Sequence, residues 1–158
     1  MTVVFWLLVL AVVVNGILAG LSFDVAVVKL PTRKRIGAVA YANFARGNDL
    51  GNGLVVYPAI GVLAALLVFG TTIAALLAQV PRSAVIPLVL ASAATIAHSG
   101  CTVKAAPIML SLRSTPDDEE LLAAKLDQFA FWHGIRAAFQ LLAFVVLLWA
   151  LIEVTSQP

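Results

Sequence analysis

Four apolar runs alternate with polar clusters along this 158-residue chain. They cover residues 4–28, 54–78, 84–110 and 121–152, each long enough for the roughly 20 residues that cross a bilayer. None alternates apolar with polar positions as a barrel strand does. Backbone groups in hydrocarbon must pair within their own segment, so each run is expected to be a helix. The fourth is longer than a span needs, so its start is expected to project from the membrane or tilt. "QVPRSA" reads as a tight turn marked by Pro81. "STPDDEE" reads as a helix start: Ser114 or Thr115 as the cap, Pro116 in the first turn, acids at the positive end of the helix dipole. Residues 29–53 form a long basic loop whose middle is expected to hold a short interfacial helix. Short connections make successive helices antiparallel neighbours. The expected fold is all-α, an up-down four-helix bundle forming one transmembrane domain over residues 1–158.

Composition agrees with that pattern. The chain is 62% hydrophobic and 11% charged, against about 45–50% and about 25% in soluble domains. The N-terminal run lacks a positive leading region and is too long for a signal peptide's apolar core, so it is read as a span. A single cysteine, Cys101, excludes a disulfide within the chain and the paired-thiol oxidoreductases. A net charge of +2 suggests no nucleic-acid partner. Its distribution is more informative. Lys29, Arg33, Lys34, Arg35 and Arg46 lie in the first connection and Arg113 in the third, with Lys104 and Lys125 nearby, whereas the opposite side holds only Arg82. The basic connections are expected in the cytoplasm of a cell-membrane protein, with both termini outside.

Ionisable groups inside spans are costly and mark function by default. Asp24, His98, Lys104, Asp127, His133 and Arg136 make up that set, with Asn15, Asn48, Asp49, Asn52 and Gln140 as polar partners. Around a turn centred between Thr115 and Pro116, His98 and His133 are equidistant, so antiparallel helices bring them to one depth. The same symmetry sets Lys104 opposite Asp127 as a structural ion pair. Phe129, His133, Arg136 and Gln140 share a helix face, as do Thr95, His98 and Thr102. Two polar stripes are expected to face each other inside the bundle. Trp132, beside His133, either walls a pocket or belongs to an interfacial belt. Asp24 either serves a ligand or balances Lys29. Asn48, Asp49 and Asn52 in "NDLGNG" either cap the second long helix or line a cavity mouth.

The segments "GILAGLSFDVAVVKLP", "ARGNDLGNGLVVYP" and "KAAPIMLSLR", the acidic turn and "FAFWHGIRAAFQLLAF" together resemble the anthrone-oxygenase-like family of integral membrane proteins, over roughly residues 16–144. The resemblance implies a four-helix bundle. Some members of that family are associated with oxidation of polyketide anthrones to anthraquinones without an obvious cofactor. The family often carries an asparagine soon after the third-helix proline, near where this chain has Met109. The element that transfers is Trp132, His133 and Arg136.

The leading expectation is thus an oxidoreductase or oxygenase acting on a lipophilic aromatic or quinone-like molecule, without a cofactor. His133 or His98 would be the base and Arg136 the oxyanion holder, with Phe129, Phe131 and Trp132 seating the rings. Asp24, Asn48, Asp49, Asn52 and Gln140 complete the substrate-binding candidates. One alternative is a haem held by His98 and His133, or a metal with Cys101, Asp24 or Asp49 as third ligand. Another is a non-catalytic binding or transport subunit, which the small residues of "GVLAALLVFG" would let pair as a homo-oligomer.

Overall fold

The computed structural model describes residues 2–156 of the chain. Helix α1 (Thr2–Asp24) passes through one wide helical turn (Val25–Lys29) into α2 (Leu30–Ile36). After a break at Gly37, α3 (Ala38–Gly47) and a second wide turn (Asn48–Asn52) lead into α4 (Gly53–Leu77). Helices α5 (Arg82–Ser111) and α6 (Glu119–Thr155) complete the chain, and no strand occurs among the described residues. Four helical stretches are long and apolar enough to cross a membrane. Each of α1, α4, α5 and α6 packs on two neighbours, so the four form a square in which α1 meets α4 and α6, and α5 meets the same two.

The stretches overshoot a bilayer. The 37 residues of α6 rise about 55 Å against about 30 Å of hydrocarbon. The excess meets α2 and α3, which fold over one end of the square as a cap. The basic loop expected at residues 29–53 is therefore helical almost throughout, with two helices rather than one. Charged side chains do not stop a helix. Gly37 does: its φ of 88° and ψ of 159° lie in a region open essentially to glycine alone. The Glu119 carboxylate sits across the break and accepts from Ala38 N and Val39 N, the latter at 3.0 Å, and a Cβ on Gly37 would stand 3.3 Å from it. Gly37→Ala is expected to cost about 1–3 kcal/mol, read as a lower midpoint in thermal unfolding of the detergent-solubilised protein. An unchanged midpoint would mean the backbone relaxes freely there.

The α5–α6 turn differs from expectation. Asp118 caps α6, its carboxylate accepting from Leu121 N at 2.8 Å. Thr115 instead donates to Ser111 O at 2.7 Å, Ser114 does so at 3.4 Å, and Pro116 precedes the helix. An aspartate one residue before the first helical position reaches the free amides more directly than residues three or four earlier. The cap is sewn to this turn by Arg46, which donates to Leu112 O (2.9 Å), Thr115 O (2.7 Å) and Asp117 (2.6 Å). Arg33 pairs with Asp127. The Lys104–Asp127 pair expected from the sequence does not form: Lys104 is exposed, and Asp127 is taken by Arg33 from the cap.

The core has two apolar clusters. One, around Leu8, Val68, Leu88 and Leu147, fills the end holding the α4–α5 turn. The other, around Tyr41, Leu112, Leu122 and Phe129, lies under the cap. Between them runs a buried polar layer that includes Asn15, Thr95, His133 and Gln140.

Candidate functional site

A cavity of about 250 Å³ opens between the four long helices on the cap side of that layer, close to the roughly 300 Å³ at which small-molecule sites begin. Helix α6 contributes Phe129, His133 and Arg136 at helical spacing. Helix α5 contributes His98 and Met109, α1 contributes Ser22, and α4 contributes Tyr57 and Gly61. Asp49 and Leu50 of the second wide turn close the capped end, both buried.

Hydrogen bonds define the two histidines. His133 Nε2 lies 3.1 Å from Ser22 O. A carbonyl only accepts, so Nε2 carries the hydrogen and Nδ1 holds a lone pair. The Arg136 guanidinium donates to that Nδ1 at 2.8 Å. Phe129 stacks on the same imidazole, with ring centroids 5.3 Å apart. His133 is thus a neutral ring with both nitrogens engaged. His98 differs. Its Nδ1 donates to Arg136 O at 3.2 Å, which leaves Nε2 as the lone-pair nitrogen on a residue that borders the cavity.

Arg136 is held from one side only. His133 takes one of its amino groups, and its buried Nε has no partner. No carboxylate pairs with it among the described residues. A guanidinium taken out of water without a counter-ion is costly, and such groups in membranes mark binding sites or relays.

Sequence-derived candidates divide here. His98, His133, Arg136, Phe129 and Asp49 come together at the cavity. Asp24 does not: it pairs with Lys29 at 3.1 Å on a half-exposed surface. Asn48 donates to Asp49 at 2.9 Å, orienting that carboxylate rather than meeting a ligand itself. Asn52 is exposed, and neither wide-turn asparagine caps α4. Gln140 clamps α6 to α1 by donating to Asn15 Oδ1 at 3.0 Å, away from the cavity. Trp132 packs beside the cap-side cluster with its ring edge to Phe131, and Phe131 is 62% exposed, so neither walls the cavity. One residue step on a helix turns a side chain by about 100°, which carries both rings off the face of Phe129 and His133.

The depth symmetry is displaced by about one turn. His98 meets Arg136 rather than standing level with His133, because α6 starts at Glu119 and the turn's true centre falls near Asp117. Sequence reasoning missed Ser22, Tyr57 and Gly61. Tyr57 had a signal, a lone hydroxyl in the first turns of an apolar helix. Ser22 acts through its carbonyl, which side-chain identity does not reveal. Among the described residues no three of His, Cys, Asp and Glu converge as a metal site would require. No family model matches this chain, and neither curated proteins nor solved structures match it.

Proposed function

We propose that this protein is a membrane-embedded, oxygenase-like enzyme for a lipophilic aromatic or quinone-like molecule carrying an acidic oxygen. One observation carries the reading: a partly buried arginine without an acid partner and a histidine with a free ring nitrogen border the same apolar cavity. His98 Nε2 takes the substrate proton, and Arg136 holds the oxyanion that results. His133 serves as a positioning residue: it orients the guanidinium through Nδ1 and is itself fixed by Ser22 O. The electron-rich anion then reacts with dioxygen. A ring methylene and one O₂ become a ring carbonyl and one water, so dioxygen is the oxidant. The resemblance to the anthrone-oxygenase-like family supports the same chemistry. The excess of Lys and Arg at the capped end favours a cytoplasmic cap and outward termini in a cell membrane.

Haem ligation fits less well. An axial role through either ring nitrogen would end the acceptance from Arg136 at Nδ1, leaving the guanidinium with no partner at all.

The test is oxygen uptake and quinone appearance with a hydroxylated anthrone in detergent. His98→Gln is expected to slow turnover by about 100-fold or more while leaving affinity for the anthraquinone within a few-fold. Equal rates in wild type and variant would overturn the role of His98. Binding without turnover in the wild type would leave a binding or transport subunit.

A further inference from the structure

The residues that border the cavity are not equally covered. Those from α1 and α6 are buried or partly buried, as are Asp49, Leu50 and Gly53 at the capped end. The exposed ones lie on two helices only: Leu54 (38% exposed) and Pro58 on α4, and Leu110 (42%) on α5. The cavity therefore opens sideways between α4 and α5, and its capped end is shut. The two helices are tied together far from this opening, where Thr72 shares a hydrogen bond with Ser92 at 3.0 Å and donates to Leu88 O at 3.3 Å. Gly61 stands at the cavity edge, and a Cβ built there meets nothing within 4 Å. Leu54, Pro58 and Leu110 are apolar and lie on helical stretches long and apolar enough to cross a membrane, so the opening they frame suits hydrocarbon better than water.

We infer that the site takes its ligand laterally from the bilayer, through a gap between α4 and α5 whose width is set by the missing side chain at Gly61. This deepens the proposed function by restricting the substrate to molecules that partition into lipid. Its polar end passes the apolar jambs as the neutral form and loses its proton only at His98. Substitution at Gly61 should then select substrates by breadth, acting on access and not on the chemistry.

The test needs no turnover. Met109 lines the cavity and is buried, so Met109→Cys in a Cys101→Ser background places a single thiol inside. In lipid vesicles the apolar reagent N-phenylmaleimide is expected to label it. A charged sulfonatoethyl thiosulfonate in the water on both sides should be at least about tenfold slower, since charge is costly in hydrocarbon. Adding Gly61→Phe should slow the maleimide about tenfold by filling the gap, whereas Gly61→Ala should not. If Gly61→Phe does not fold, Leu110→Trp narrows the opening from the opposite helix. Labelling by the charged reagent as fast as by the apolar one, or a maleimide rate indifferent to both bulky substitutions, would overturn lateral access. A protein that labels from lipid and never oxidises an anthrone would sink the proposed enzyme and leave the opening standing.

Discussion

Arg136→Met removes ligand binding and spares the fold. That pairing of outcomes is expected because the guanidinium has no acid partner, a buried Nε with nothing to bond, and one hydrogen bond to a neutral imidazole. An anionic ligand held there supplies the missing counter-charge, and truncating one side of such a buried pair costs about 2–5 kcal/mol. Affinity for a hydroxylated anthraquinone should fall by about 300-fold, the middle of that range. Stability should move the other way or not at all. Replacing an unpaired, partly buried charge by an apolar chain of similar reach removes a desolvation cost, offset by about 1–3 kcal/mol for the His133 Nδ1 left without its donor. Titration by fluorescence or calorimetry, beside thermal unfolding of the same sample, reads both. A large loss of thermal stability would mean Arg136 is a structural strut. Unchanged affinity would mean the ligand's acidic oxygen does not reach it.

Arg46→Ala is expected to have the largest effect on stability. Its guanidinium donates to Leu112 O and Thr115 O past the end of α5, and to Asn43 and Asp117. Two of these acceptors are carbonyls with no helical partner, so the bonds to them are charge-assisted and not easily replaced. Losing them costs about 2–4 kcal/mol, or roughly 5–12 °C in Tm for a chain of this length. Arg46→Lys should recover only part of this, because one ammonium cannot reproduce the planar fork. The Asp117 arm is half-exposed and worth little alone, so Asp117→Asn is the control that should barely move Tm. A loss in Asp117→Asn equal to that in Arg46→Ala would assign the effect to the ion pair instead.

The spans were legible because an apolar run of that length has no other stable form in lipid. The cap was not. Residues 29–53 look like a loop because they are basic, yet in place Arg33, Arg46 and the free amide of Ala38 are met by groups 66–94 positions away: Asp127, Leu112 O and Glu119. Nothing local announces those partners. The lining of the cavity was legible in part. His98, His133 and Arg136 stand out because each is costly at depth. Which nitrogen of each histidine carries the hydrogen depends on two backbone carbonyls, Ser22 O and Arg136 O, that no side-chain pattern encodes. Trp132 was drawn toward the site by adjacency in the chain, but its direction from the helix sends it elsewhere.

The long sequence separation of the cap's partners sets an order on biosynthesis. Glu119, which closes the break at Gly37, follows Ala38 by 81 positions. At about 5–20 residues per second of synthesis, α3 waits about 4–16 s for its N-terminal amides to be met, and Arg46 waits nearly as long for Asp117. During that interval α1 and α4 are already made, and the cap has no partner to close over. The cavity's floor is thus the last part to be fastened, once Glu119 has been made, and a nascent chain arrested before Arg113 carries three spans with α2 and α3 made but not yet tied down over their end.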